Sequence, residues 1–386
     1  VPTTTKTKPD DIAAELKQIG FEFAYNECTN AIEVNGSQMN DGIEAELRYT
    51  ARMHDIHNMG ALTDTFVALA YRNRYHPIRA YLSRCLAASN GKADHIAQLT
   101  SHLRDSDGVF AAWLRKWLIG AVAKVIRAEQ NPMLVLDGAQ GIGKSEFARW
   151  LCTDPTYFIE SAITPDDKDC YARLASKFIW EVAELGATIK RADREALKHF
   201  ITMRQVTVRP PYGHHDLNRP AMASLIGTVN NESGLLNDPT GSRRFLVCHI
   251  DAINWSYSKL DVQQIWAEAY AAFLNGESWL LSVAEMQHAS QINERYDVDD
   301  PIESILVQDF EIDSAHNDDW WMTSIEIMLH VFGTQASALN RMNAAALGTV
   351  MTRLGVSRIQ HQMKGKRVWG YAGIRSLTAG VSGIIP

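Results

Sequence analysis

Residues Gly138-Ala139-Gln140-Gly141-Ile142-Gly143-Lys144-Ser145 form a complete G-x-x-x-x-G-K-[ST] pattern, that of a loop which wraps a chain of phosphates. Its glycines let successive backbone N–H groups turn toward one anion without Cβ clashes, and a following helix adds its positive end. In such a loop Lys144 reaches the β- and γ-phosphates and Ser145 holds Mg²⁺. A plain glycine-rich turn is the alternative. The context favours phosphate, because apolar Met133-Leu134-Val135-Leu136-Asp137 precedes the loop and helix-forming Glu146-Phe147-Ala148-Arg149-Trp150-Leu151 follows it.

Hydrolysis of a nucleoside triphosphate also needs a carboxylate on a neighbouring strand, to hold the metal and polarise water. Phe178-Ile179-Trp180-Glu181 supplies an apolar strand ending in an acid, and Glu184 follows closely. Glu181 is expected on the metal side, with Glu184 as water activator or its partner; ordinary helix-start acids would look the same. Ser224-Leu225-Ile226-Gly227-Thr228-Val229-Asn230 is a further apolar run ending in a polar residue. At a strand's carboxyl end Asn230 would orient water against the γ-phosphate, although an Asn there also suits a simple turn. In Asp238-Pro239-Thr240-Gly241-Ser242-Arg243-Arg244-Phe245, two arginines follow a tight turn. Either suits charge neutralisation on a transferred phosphoryl group, in cis or from a neighbouring subunit; surface pairing with acids is the plain alternative.

Several elements must position these groups. Between Val109 and Ala284 short apolar runs alternate with helical stretches, the signature of an α/β unit. Five runs read as strands of a mostly parallel sheet: Met133 to Asp137, Tyr157 to Glu160, Phe178 to Val182, Ser224 to Val229 and Phe245 to Ile250. Upstream the pattern is mostly helical from near Asp10, with a hairpin at Phe21 to Val34 and a Pro-started helix after His76, itself a turn or cap residue. The apolar stretch Ala111 to Ile126 is interrupted by Arg115, Lys116 and Lys124, so it reads as an amphipathic helix and not as a membrane span.

Charge is unevenly distributed. The chain has 386 residues, with 38 Lys and Arg against 45 Asp and Glu, which argues against coating nucleic acid with the whole surface. The five cysteines are scattered and never form C-x-x-C, so reduced intracellular thiols are expected, not a disulfide framework or zinc ribbon. A strongly acidic stretch follows Ala284, and after Glu326 no Asp or Glu occurs at all, while Arg341, Arg353, Arg358, Lys364, Lys366, Arg367 and Arg375 do. Two short helices over Ala336 to Leu354, separated near Asn343, and a hairpin over Ile359 to Tyr371 turning at Gly365 resemble a winged-helix module. Its wing residues Lys364, Lys366 and Arg367 would pair with DNA phosphates, with docking onto the acidic stretch as the alternative.

Taken in order, these segments resemble the virulence-associated protein E family, whose ATPase core is similar to superfamily 3 helicases and to the primase-helicases of phages and large DNA viruses. The likeness is carried by the Gly138 to Ser145 loop, Trp180-Glu181-Val182-Ala183-Glu184-Leu185, Arg209-Pro210-Pro211-Tyr212-Gly213, Ile226-Gly227-Thr228-Val229-Asn230 and Asp238 to Phe245, and it covers most of residues 10 to 285. The resemblance implies an AAA+ P-loop ATPase that assembles as a homo-hexameric ring and moves on DNA. Bound ATP and Mg²⁺ would be held at Gly138, Ala139, Gln140, Gly141, Ile142, Gly143, Lys144, Ser145 and Glu181, with Asn230 as sensor and Arg243 or Arg244 as arginine finger. It also implies a pore hairpin carrying Arg209, Tyr212, His214 and His215 to the DNA backbone. Relatives place Lys or Arg near that tip, and this chain departs from them with two histidines.

The expected organisation is a tail at 1–9, a mostly helical domain at 10–106, the AAA+ core at 107–285, an acidic linker at 286–320 and a basic winged-helix-like domain at 321–386. The expected activity is an ATP-dependent DNA helicase or translocase of a mobile element or phage-like replication system. Single-stranded or forked DNA and a primase or other replication protein are its expected partners, in the cytoplasm and without a membrane. The alternative is a nucleotide-gated origin-binding initiator or regulator that does not unwind.

Overall fold

The computed structural model describes residues 8–377 except 93, 165–166, 184–190, 209–215, 231–243, 295–300, 314–319, 334 and 364, and gives the backbone alone at 191–196, 208, 294, 301, 336 and 353. Glu184, Arg209, Tyr212, His214, His215, Arg243 and Lys364 lie outside the described residues. The chain divides into two compact units, Val1–Asp297 and Val298–Pro386.

The first unit is built on a six-stranded sheet in the order Leu103–Asp105, Phe245–Ile253, Met133–Asp137, Ser224–Val229, Ile179–Val182, Phe158–Glu160. The last five are mutually parallel, and the Leu103–Asp105 edge is antiparallel. The five apolar runs of the sequence are thus the five parallel strands, with the last one extending to Ile253. Met133–Asp137, Ile179–Val182 and Ser224–Val229 are buried at every position, as expected of strands covered on both faces. The Met133–Asp137 strand sits between Ser224–Val229 and Phe245–Ile253. From it the chain leaves to the far edge, returns along one side, and then crosses to the other. That reversal opens a crevice at the carboxyl ends of the strands, where ligands of open α/β sheets bind.

The helix expected over Ala111 to Ile126 spans Phe110–Arg127; its first turns are amphipathic, with Ala111 and Ala112 exposed and Arg115 and Lys116 half-buried, but every residue from Trp117 to Val125 is buried. It lies in the core, where the Trp117 indole N–H donates to the Leu225 carbonyl at 3.0 Å. Residues Ile12, Leu16, Phe23, Val34, Leu47 and Phe66 close a separate small core over the hairpin Phe23–Asn26/Ala31–Val34. From Ile78 onward the chain packs into the main core. His76 caps the Pro77–Ala87 helix, accepting the Arg79 N–H. Burial, reinforced by Arg79 and Arg219, pushes its imidazole down to about 4, so it stays neutral.

The second unit has its own core around Leu306, Phe310, Ile327, Leu347, Met351 and Tyr371. Part of the acidic stretch belongs to this unit, because helix Pro301–Asp309 leads into strand Phe310–Ile312, which pairs with Ile374–Ser376. There Glu311 binds the Arg375 guanidinium. Helix Ser324–Phe332 opens with a reciprocal Thr323/Glu326 capping box. The break before the Arg341–Arg353 helix falls at Asn340, not near Asn343, because the Asn340 side chain accepts the Asn343 N–H and caps that helix. The hairpin pairs Ser357–Met363 with Lys366–Ala372 around Gly365 at φ +78°.

All five cysteines are buried and unpaired. Among the described residues no helix is long and apolar enough to cross a membrane, and no group of three or more His, Cys, Asp or Glu side chains is placed to hold a metal ion.

Candidate active site

The Gly138 to Ser145 loop leaves the carboxyl end of the central strand and runs into helix Lys144–Trp150. Gly138, Gly141 and Gly143 have φ of +149°, +80° and +106°. Two of them are also fixed by space. A Cβ on Gly138 would fall 2.3 Å from the Ile250 carbonyl oxygen, and one on Gly143 would fall 2.6 Å from the Trp255 ring. Gly138 and Gly143 are therefore required by both conformation and close approach, and Gly141 by conformation alone.

Lys144 is buried, and its ammonium donates to the carbonyls of Gly138 and Ala139, each at 2.8 Å, and to Asn230 Oδ1 at 3.2 Å. Burial lowers its pKa, with the Asp137 carboxylate pulling the other way. Asn230 follows directly on the neighbouring strand, so parallel pairing of Val229 with Asp137 delivers its amide to the loop.

Glu181 is fully buried one strand further out. Its Oε1 accepts the Thr228 hydroxyl at 3.1 Å, while Oε2 is buried without a hydrogen-bond partner. Burial raises its pKa; the Ser145 side chain, near enough to lower it without completing a hydrogen bond to Oε2, and Thr228 oppose this, while Glu160 adds to it. A buried acid with one oxygen unsatisfied, beside the Ser145 hydroxyl and under a loop shaped for anions, fits a divalent cation held between Ser145 and Glu181.

The structure thus brings Lys144, Ser145, Glu181 and Asn230 to one edge of the sheet. Arg244 is not among them. It precedes Phe245, which pairs with Met133, the first residue of the central strand. Its guanidinium is therefore at the opposite end of the sheet, roughly 15 Å of strand away from the loop. There it lines a cavity of about 460 Å³ with Gln130, Asn131, Pro132, Thr202 and Met286, and its Nε is buried without a hydrogen-bond partner.

A family model described as the virulence-associated protein E-like domain matches residues 87–298. The chain belongs to this family. Two solved structures share the fold of the chain that carries this VapE-like domain. They are the apo structure of the NrS-1 C-terminal region (305-718), at TM-score 0.53 and 13% identity, covering 95% of this chain and 100% of that one. The second, the A form apo structure of the same region, matches at TM-score 0.51 and 14% identity, covering 95% and 99%. No curated protein matches.

Other polar groups around the site of the VapE-like domain escaped the sequence reading. Thr228 shares a strand face with Asn230 at a spacing of two, a signal available in the sequence, yet its partner Glu181 lies on another strand. Asp137, the residue before the loop, binds His249 Nδ1 at 2.8 Å and ties the ends of two adjacent strands together. Arg149 and Glu160 pair at 2.7 Å near Glu181. These contacts join segments far apart in sequence, and no local pattern announces them.

The residues that the sequence assigns to DNA contact belong to two segments. The hairpin expected to hold Arg209, Tyr212, His214 and His215 is described at its base, where Gln205–Val208 pairs antiparallel with Leu217–Pro220. In the second unit Lys366 and Arg367 are exposed at the start of the hairpin's returning strand.

Proposed function

We propose that this protein is a P-loop ATPase of the AAA+ type that translocates on or unwinds DNA in a replication system of a mobile element or phage. The observation that carries this reading is the convergence of the Lys144 ammonium, the buried Glu181 carboxylate and Asn230 on one glycine-shaped loop at the carboxyl edge of a parallel sheet.

The backbone of Gly138 to Ser145 and Lys144 would hold the phosphates of ATP, and Ser145 and Glu181 would hold Mg²⁺. A cation held by these two residues would supply positive charge against the phosphates. Asn230 would orient the attacking water, with Glu184 as the activating acid, and Thr228 keeps the Glu181 carboxylate aimed. Because Arg244 lies at the far end of its own sheet, it would serve the loop of a neighbouring subunit and not its own, with Arg243 as the other candidate. That fits a homo-hexameric ring, in which the Gln205–Val208/Leu217–Pro220 hairpin would carry Arg209, Tyr212, His214 and His215 toward single-stranded or forked DNA. The second unit, with two helices before a basic hairpin, fits a winged-helix-like DNA contact through Lys364, Lys366 and Arg367.

Strand displacement on a labelled DNA fork with ATP and Mg²⁺ tests the reading, with Lys144→Ala as control. ATP-dependent separation lost in the variant is the expected result. Nucleotide-dependent DNA binding without separation would move the assignment to an origin-binding initiator. Separation retained in Lys144→Ala would overturn the site.

A further inference from the structure

We propose that Trp255 is the stacking platform for the base of the bound nucleotide, an inference that rests on the phosphate-loop reading above and adds to it the group that recognises the nucleoside. Trp255 opens the short helical turn Trp255–Lys259, just beyond the Phe245–Ile253 strand that neighbours the phosphate-loop strand. The edge of its ring rests on Gly143, where a Cβ would fall 2.6 Å from Cζ2 and 3.0 Å from Cη2. Any side chain at Gly143 would collide with the indole, so loop and ring are fitted to each other.

Among the described tryptophans of the first unit, the exposure of this ring sets it apart; in the second unit Trp369 is similarly exposed. Trp113, Trp117, Trp180 and Trp266 are at most 2% exposed, whereas Trp255 is 51% exposed. An indole used only for packing gains most by full burial, and leaving half of it in water forgoes that gain. The ring is nevertheless held in place. It stacks on Tyr257 at 6.4 Å, and Tyr257 is buried and packs edge-on against Phe147 and Trp150 of the helix that follows the phosphate loop. Below it, the Asn254 side chain accepts the Ser256 N–H, and the Asn254 N–H donates to the His102 carbonyl.

A nucleotide whose phosphates fill the Gly138 to Ser145 loop must place its ribose and base just outside it. A rigid, half-exposed aromatic face touching the last glycine of that loop stands where a base leaving the loop could meet it. Stacking uses the π-face that every base has, and a purine overlaps an indole more fully than a pyrimidine does. Trp255 therefore favours purine nucleoside triphosphates without reading base edges.

The affinities of the full chain for ATP, CTP and inorganic tripolyphosphate, each with Mg²⁺, test this in the parent and in Trp255→Leu and Trp255→Phe. Leu keeps apolar contact with Gly143 but has no π-face. Expected for Trp255→Leu is a loss of ATP affinity of about five- to one-hundred-fold, the range for one base–aromatic stack. Tripolyphosphate binding should be unchanged, the ATP-over-CTP preference reduced, and most of the affinity kept in Trp255→Phe. Unchanged ATP affinity in Trp255→Leu would overturn the proposal. So would an equal loss for ATP and tripolyphosphate, which would make the ring a support for the loop alone. If the parent bound none of the three ligands, the phosphate-loop reading itself would fall, and this inference with it.

Discussion

At the scale of single residues, the molecule holds polar groups in its core at some expense to stability. Lys144 and Glu181 do so at the candidate site, where the proposed function gives each a chemical use. Lys124 does so in the middle of the buried Phe110–Arg127 helix, where its ammonium has no hydrogen-bond partner and burial pushes it down to about 8 from its ordinary 10.5. The unfolded chain then binds this proton more tightly than the folded one. The cost is full below pH about 8 and disappears as pH rises toward 10.5, so stability from this position increases with pH across that window. A shift of this size corresponds to roughly 3 kcal/mol. Lys124→Met should therefore raise the unfolding free energy by about 3 kcal/mol at pH 7, with the gain shrinking toward zero near pH 10 to 11. Urea unfolding of both proteins at several pH values checks this, and a gain independent of pH would show that the charge is not what Lys124 costs.

At the scale of elements, local signals placed the strands well and the caps less well. Apolar runs located the five parallel strands to within a few residues, because strands buried on both faces need continuous apolar sequence. The helix break at Asn340 was missed because Asn343 has the same capping chemistry, and the choice depends on which side chain meets a free N–H. In the second unit, tertiary contacts sort basic residues that look alike in the sequence. Arg375 is taken up by Glu311, and Arg358 lies over the Trp369 ring at 4.8 Å. Lys366 and Arg367 stand exposed. If these two meet DNA phosphates, the double variant Lys366→Ala/Arg367→Ala should flatten the slope of log affinity against log salt by about 1.5 to 2, with DNA-independent ATP turnover unchanged. Fluorescence anisotropy across a salt series measures the slope, and an unaltered slope would remove this hairpin from the DNA contact.

At the scale of the whole molecule, the placement of Arg244 carries the strongest consequence. Parallel pairing of Phe245–Ile253 with Met133–Asp137 fixes Arg244 at the amino end of the sheet and the phosphate loop at the carboxyl end. One chain alone cannot bring the two together without breaking the sheet, whereas an assembly of copies can. If the proposed ATPase works as a ring with Arg244 acting across subunits, Arg244→Ala should lose ATP turnover in the assembled protein. A mixture of Arg244→Ala with Lys144→Ala should regain part of it, because some interfaces then pair an intact arginine with an intact loop. Turnover of the mixture no higher than that of the separate variants would rule out action across subunits.

The sequence by itself determined the glycine loop, the strands around it, the absence of acids after Glu326 and the family, because each depends on local requirements: positive φ at glycine, continuous apolar strand faces and motif order. What only the tertiary structure decided is which of these groups meet. Asn230 reaches Lys144, Thr228 aims Glu181 and Trp255 presses on Gly143, while Arg244 is carried to the opposite end of the sheet. The physical reason is that strand order and direction are set by pairings between residues tens of positions apart, which no window of local sequence contains.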